Sequence, residues 1–268
     1  MGILGARCPT CKAQLQINIP DDISNSYNSG VSTGVNMVIN SIETTFPMLS
    51  FYNEVKRLNC VDADLAEFLH ENIEEVKKKM EFPEIRLAKQ WEDRKVGTDE
   101  YYVNNKDYLY DNAKYNKFPT YQVQRLLPLV LVRKQNTLDI GCGIGMLVSM
   151  LAGQDNNSMG YDINPMIIDF ANFRKEKYGS NAIFTDKKPD FSKFDLITAL
   201  GTFEHFENLE EFVYELGKTM KKGAKLYHYD DFGDQNISPM HFDYSENMDK
   251  WLDDSGFKRL NERWAIKL

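Results

Sequence analysis

The chain has 268 residues, 42% of them hydrophobic, which is enough for one full α/β core with roughly a hundred residues to spare. Its formal net charge of −8 argues against a broad phosphate-binding surface, because nucleic-acid affinity rests mainly on basic neutralisation of the backbone. Neither a long uninterrupted apolar run nor a basic stretch leading into an apolar one occurs, so no membrane span or signal peptide is expected and a cytoplasmic location is the default.

From the amino terminus, Cys8-Pro9-Thr10-Cys11 has the form of half a zinc ribbon, two thiolates on a tight knuckle. The second cysteine pair is absent. Cys60 and His70 would complete a site of three cysteines and one histidine, at a spacing unlike common fingers. A reduced or reversibly oxidised pair is the competing reading. Ser24 to Asn36, rich in Ser, Asn and Gly, reads as a loop. Three helices are predicted next, Pro47 to Leu58, Asp62 to Met80 and Pro83 to Lys95. In the middle one Leu65, Phe68, Leu69, Ile73 and Val76 recur at helical spacing, with Asp62 placed as a cap. Lys77-Lys78-Lys79 follows Glu74-Glu75 on that helix and reads as a solvated carboxyl end rather than a nucleic-acid patch. Tyr101, Tyr102, Tyr108, Tyr110, Tyr115, Phe118 and Tyr121 then form an aromatic run. Residues 1–118 are read as a mainly helical region and residues 119–268 as a second unit.

That second unit alternates strand and helix. Thr137, Leu138 and Ile140 suit a buried strand, and Gly141, Gly143 and Gly145 let the backbone turn sharply and approach a ligand. A helix from Met146 to Ala152 follows. A dinucleotide loop would need its third glycine at the position of Met146, so the nicotinamide reading is disfavoured. Asp139 points the same way, since a carboxylate there can meet an ammonium group and would repel a pyrophosphate. Further strands are predicted over Ser158–Ile163, Ala182–Thr185, Phe194–Leu200 and Ala224–Tyr229, with helices near Pro165–Tyr178, Leu209–Met220 and Ser245–Ser255. The alternation implies an α/β fold with a parallel sheet and ligands at the carboxyl ends of its strands, where Asp139, Asp162, Asp186 and Leu200 fall.

The run Leu138-Asp139-Ile140-Gly141-Cys142-Gly143-Ile144-Gly145, with Gly160-Tyr161-Asp162, Phe194 to Thr198 and Phe203-Glu204-His205-Phe206, resembles the successive motifs of class I S-adenosylmethionine-dependent methyltransferases. The resemblance covers roughly residues 119–268 and weakens at the end, where one strand of the family's closing hairpin is expected to be short or missing. It implies a Rossmann-like sheet flanked by helices, with S-adenosylmethionine held by Asp139, Gly141, Cys142, Gly143 and Gly145. Asp162 would take the ribose hydroxyls, Ile163 would pack on adenine, Asp186 would accept from its amino group, and Leu200 would line the site. Cys142 reads as a small filler residue and not a nucleophile. The aromatic run resembles a lid or substrate wall, or else pins the amino-terminal helices to the sheet.

Three of the four histidines, His205, His228 and His241, fall where a substrate would lie. Phe203 to Phe206 resembles the post-strand motif of ubiquinone-biosynthesis O-methyltransferases and small-RNA terminal 2′-O-methyltransferases. Some of these bind metal through Glu-x-x-Glu-His, but Gly201 stands where the first Glu would be. His241 and His205 are the candidate general bases, with Asp230 or Asp231 positioning the acceptor. The leading expectation is methyl transfer to oxygen or nitrogen of a small molecule such as a sugar, an aromatic or a natural-product intermediate. A protein or RNA acceptor, or a non-catalytic scaffold that binds the cofactor, are the alternatives.

Overall fold

A computed structural model describes residues 2–7, 14–19, 49–117, 119–232 and 239–268. Cys8, Cys11 and Ser24 to Asn36 lie outside them. Strands β1 (Gly2–Arg7) and β2 (Gln14–Ile19) pair antiparallel, with Gly2 opposite Ile19 and Arg7 opposite Gln14. The chain then runs through α1 (Leu49–Arg57), a 3₁₀ turn (Leu58–Cys60), α2 (Val61–Leu69), α3 (Ile73–Lys79), α4 (Pro83–Glu92), α5 (Thr98–Asn104), α6 (Asp107–Asn116) and α7 (Pro119–Leu126).

The predicted helix Asp62 to Met80 is therefore two helices. His70 adopts a left-handed conformation (φ 55°) that ends α2, its N–H reaching the carbonyls of Ala66 and Glu67. Asn72 then caps α3, its side chain accepting from the Glu74 N–H at 2.8 Å. Asp62 is not a cap either: it lies in the first turn of α2 and takes a hydrogen bond from Lys117 Nζ at 2.6 Å. Lys77, Lys78 and Lys79 occupy the last turn of α3, where Lys77 meets Glu74 and Lys79 meets Glu71.

The larger sheet comprises β3 (Asn136–Ile140), β4 (Asn157–Tyr161), β5 (Ile183–Thr185), β6 (Leu196–Leu200), β7 (Lys225–Tyr229), β8 (Phe257–Arg259) and β9 (Trp264–Lys267). Their order is β5-β4-β3-β6-β7-β9-β8, parallel except for β9, which runs antiparallel to both of its neighbours. Both strands of the closing hairpin are thus present, though β8 has only three residues. Sequence reading found it hard to place because Gly256 (φ 76°) starts it directly after a helix and no long apolar run marks it. Helices α8 (Met146–Ala152), α9 (Pro165–Tyr178), α10 (Leu209–Thr219) and α11 (Met248–Asp254) complete the layers.

Strand order reverses at β3, whose two neighbours β4 and β6 are reached by crossovers in opposite directions, and this opens a crevice at their carboxyl ends. On one face of the sheet α10 and α11 pack Val213, Leu216, Trp251 and Leu252 against Leu138, Ile197 and Leu226. On the other, Phe51, Leu65 and Leu109 from the early helices share one cluster with Met150, Phe170, Tyr227 and Trp264. The core therefore runs across position 118 without a break. Phe51, Val55 and Leu58, each at most 2% exposed, contribute roughly 2 kcal/mol apiece as an upper estimate. A buried ionic contact adds to this seam: Arg174 Nε on α9 donates to Asp64 Oδ2 on α2 at 3.1 Å, and Tyr178 Oη donates to the same carboxylate at 2.9 Å.

Candidate active site

At the carboxyl end of β3 three glycines hold left-handed backbone, Gly141 (φ 64°), Gly143 (φ 50°) and Gly145 (φ 79°). Their reasons differ. A Cβ on Gly141 would lie 2.4 Å from the Thr202 side chain, and one on Gly143 would lie 2.2 Å from Asn112 Oδ1. Both of these glycines line a cavity of about 1160 Å³ that opens along the strand ends. Gly145 does not line it. A Cβ there would strike the Phe184 ring at 2.4 Å, so packing of α8 on β5 by itself requires a glycine at this position. Cys142 packs with Val148, Ile168, Ala182 and Phe184, and burial pushes its thiol well up, which fits a filler and not a nucleophile.

Two carboxylates frame the turn. Asp139, 5% exposed, faces the cavity from β3, and its Oδ1 accepts from Thr198 Oγ1 on β6 at 2.7 Å. Burial pushes its carboxyl up to about 7, against the opposing effects of Thr198 and Arg125. Asp162 follows β4, and its two oxygens accept from the Gly143 N–H at 3.2 Å and the Asn164 N–H at 3.0 Å. It is raised to about 6, again by burial. Asn164 caps α9 through Met166 and Ile167, while its Nδ2 donates to the Tyr102 carbonyl at 2.8 Å and the Asn105 carbonyl at 3.2 Å. The cap thereby docks the aromatic helices beside Asp162. An Asn directly before Pro165 is a helix-start signature, so the cap was available in the sequence although its second set of bonds was not.

Ile163 and Leu200 line the cavity. Asp186 does not. Lys187 N–H bonds to Thr185 Oγ1 at 3.0 Å in a side-chain turn that carries Asp186 into solvent, and Lys188 reaches the cavity instead. The aromatic run divides between both of its readings. Tyr102, Tyr108 and Tyr115 line the cavity, whereas Tyr101 packs edge-on against Trp91 and donates to the Leu87 carbonyl at 3.0 Å. Tyr110 turns to Glu71 and Lys79. Phe118 and the Tyr121 side chain lie outside the described residues.

The histidines separate as well. His205 and His241 both line the cavity, their rings edge-to-face with centroids 4.5 Å apart. Tyr102 Oη lies 2.7 Å from His205 Nδ1. Desolvation, then the neighbouring His241, push His205 well below the ordinary imidazole range; desolvation also lowers His241, against the charge and backbone of Asp231. Both rings are neutral at neutral pH and able to accept a proton. His228 is buried beneath them with Nδ1 against Asp230. That contact turns the Asp230 carboxylate away from the cavity, which corrects its placement beside an acceptor; Asp231 lines the cavity in its stead.

Glu204 carries more than the sequence suggested. It is 2% exposed and lines the cavity; Oε1 accepts from the Asp231 N–H at 3.2 Å, and Oε2 has no hydrogen-bond partner among the described residues. Burial, then the charge of Asp230, push its carboxyl up to about 8. Arg125 lies across from it, with Nη2 2.9 Å from where a Cβ on Gly201 would sit, so any side chain at 201 would displace the guanidinium. Among the described residues no group of three His, Cys, Asp or Glu side chains is placed to hold a metal ion, and this includes Glu204, His205, His228 and His241. Cys60 is exposed and has no disulfide partner among the described residues, and the Cys8 and Cys11 half of the suggested zinc site is outside them. No helix among the described residues is long and apolar enough to cross a membrane.

Comparison with known proteins agrees with this geometry. Residues 138–226 match the family model described as a methyltransferase domain. The chain is 28% identical over 166 residues to malonyl-[acyl-carrier protein] O-methyltransferase of Acetivibrio thermocellus, covering 58% of each chain. It is 26% identical over 103 residues to ubiquinone biosynthesis O-methyltransferase of Coxiella burnetii, covering 37% of this chain and 44% of that one. The match thus spans about half the length of these curated relatives. A solved structure of Haemonchus contortus phosphoethanolamine N-methyltransferase 2 in complex with S-adenosyl-L-methionine aligns with a TM-score of 0.48 at 13% identity, over 60% of this chain and 44% of that one. Residues 138–226 are thus similar to a methyltransferase domain.

Proposed function

Given that similarity, we propose that the protein transfers a methyl group from S-adenosylmethionine to an oxygen or nitrogen of a small-molecule acceptor. The observation that carries this reading is that Asp139, Gly141, Gly143, Asp162, His205 and His241 all line one continuous cavity, bringing a cofactor cradle and two neutral imidazoles together. The cradle fits the group. Gly141 and Gly143 leave bare backbone where a Cβ would clash, Asp139 offers a carboxylate to an ammonium, and Asp162 is held by two backbone N–H groups in position to accept from a ribose diol.

When bound there, S-adenosylmethionine supplies an electrophilic methyl carbon. The protein aligns the acceptor for in-line attack, excludes water and removes the acceptor's proton. Tyr102, Tyr108 and Met240 form the apolar wall that orients the acceptor. His241 takes the proton. His205, held through Nδ1 by Tyr102, fixes the position of the His241 ring against its own face.

Calorimetric titration with S-adenosylmethionine tests the reading. One site per chain is expected, and Asp139→Asn should weaken it at least ten-fold, about 1.4 kcal/mol, through loss of the ammonium partner. No binding at any accessible concentration, or unchanged affinity in the variant, would overturn the assignment.

A further inference from the structure

Resting on that reading, we infer that the acceptor is a cationic amine, seated by Glu204 and Asp231 in an acidic cavity whose apolar wall takes the rest of the molecule. The charge balance of the cavity is one-sided. Asp99, Glu100, Glu207, Glu211 and Asp231 stand exposed along its rim, and Glu204 lines it from a buried position, apart from the two carboxylates assigned to the cofactor. Of the lysines that line it, Lys114 is held by Glu84 at 2.8 Å and Lys188 by Glu215 at 2.5 Å. Arg125 lies between Asp139 and Glu204 and lowers both. A cleft lined mainly by one sign of charge within low-dielectric walls concentrates ligands of the opposite sign and repels a carboxylate or phosphate.

Rim acids alone would be a solvated surface. What makes a site of them is Glu204, a carboxyl 2% exposed that lines the same cavity, its Oε2 without a partner among the described residues. A buried carboxylate oxygen without a donor is costly, and burial together with the charge of Asp230 outweighs Arg125, so the group holds its proton. An ammonium group placed there supplies both the charge and the missing donor. Its charged and polar neighbours offset one another: Arg125 lowers it, Asp230 after β7 adds like charge, Tyr102 and Tyr108 face it from α5 and α6, and the Asp231 N–H occupies Oε1. The wall opposite, Leu87, Tyr102, Tyr108 and Met240, suits an aromatic or aliphatic body.

The reaction balances with one proton acceptor. The bound ammonium gives one proton to His241; the free nitrogen pair forms the bond to the methyl carbon as the carbon–sulfur bond breaks and its pair stays on sulfur. The positive charge moves from sulfur to nitrogen, leaving a methylated ammonium and S-adenosylhomocysteine.

Calorimetric titration of the full chain with 2-phenylethylamine, 2-phenylethanol and 3-phenylpropanoate, probes of similar size that differ in charge, tests the proposal with and without S-adenosylhomocysteine. The amine is expected to bind at least ten-fold more tightly than either of the others, with Glu204→Gln abolishing that preference. Asp231→Asn, at an exposed position, is expected to reduce the preference several-fold and keeps the test open if the buried variant does not fold. Equal binding of amine and alcohol, tighter binding of the carboxylate, no binding of the amine, or a preference untouched by both variants overturns it. Titrations without S-adenosylhomocysteine read the acidic site by itself. A protein that selects the amine yet binds no S-adenosylhomocysteine would therefore sink the methyl-transfer reading and spare this one.

Discussion

Gly145 and Asp186 show how a residue can sit correctly in a motif and still do something other than touch a ligand. Gly145 is required by its φ of 79° and by the Phe184 ring 2.4 Å from any Cβ, both consequences of α8 lying on β5. Gly145→Ala should cost about 1–3 kcal/mol of unfolding free energy while the folded protein keeps its affinity for S-adenosylmethionine. Denaturant titration and calorimetry read the two quantities separately, and Phe184→Leu in the same chain should recover part of the loss. Lost affinity with unchanged stability would return Gly145 to the ligand contacts. The type and place of Asp139, Gly141, Gly143 and Asp162 were legible because strand ends and glycine turns are local patterns. Glu204, Thr198 and Asn112 were not legible as site groups. Their roles depend on what faces them across the cavity: Asp231 on Glu204, Asp139 on Thr198, Gly143 on Asn112.

Among the elements, β3 to β7 and helices α8 to α10 followed their periodicity closely, with Gly141, Gly153, Gly179 and Gly201 directly after β3, α8, α9 and β6. The region before position 118 departed more. His70 takes a left-handed conformation with no glycine to announce it, and the apolar stripe continues on either side, so one helix was read where two exist. The reason for the break is tertiary: α2 turns its Asp64 into a buried contact with Arg174 and Tyr178 on α9, and α3 packs Val76 into the same core in a different direction. Removing Asp64 takes from the buried Arg174 its carboxylate partner and leaves it the Ile144 carbonyl. Asp64→Ala should therefore destabilise by about 3–5 kcal/mol, and a double change with Arg174→Met should recover much of it. Urea unfolding of the three variants gives the coupling directly; additive losses would mean that the pair holds nothing together.

The whole molecule buries carboxyls for its site, and this sets the direction of its pH dependence. Asp162, Asp139 and Glu204 stand at about 6, 7 and 8 in the folded protein, above the ordinary carboxylate range, so the folded state binds more protons than the unfolded one across that interval. Stability from these groups is complete below the unfolded carboxylate range and is lost as pH rises through their folded values. His205 and His241 act in the opposite sense, because folding lowers both and the unfolded chain takes up their protons in acid. Below about 6.5, the ordinary imidazole value, the two effects oppose one another. Above it only the carboxyls titrate. Unfolding free energy is therefore expected to fall by on the order of 2 kcal/mol between roughly pH 6.5 and 8.5, most of it from Glu204. Glu204→Gln should flatten that slope. A cationic ligand should flatten it too, since the deprotonated carboxyl then gains an ammonium partner. Guanidinium titrations at four or five pH values, with and without 2-phenylethylamine, would show this. A stability that rises across the interval would mean that Glu204 is already ionised and that the cavity meets its charge in another way.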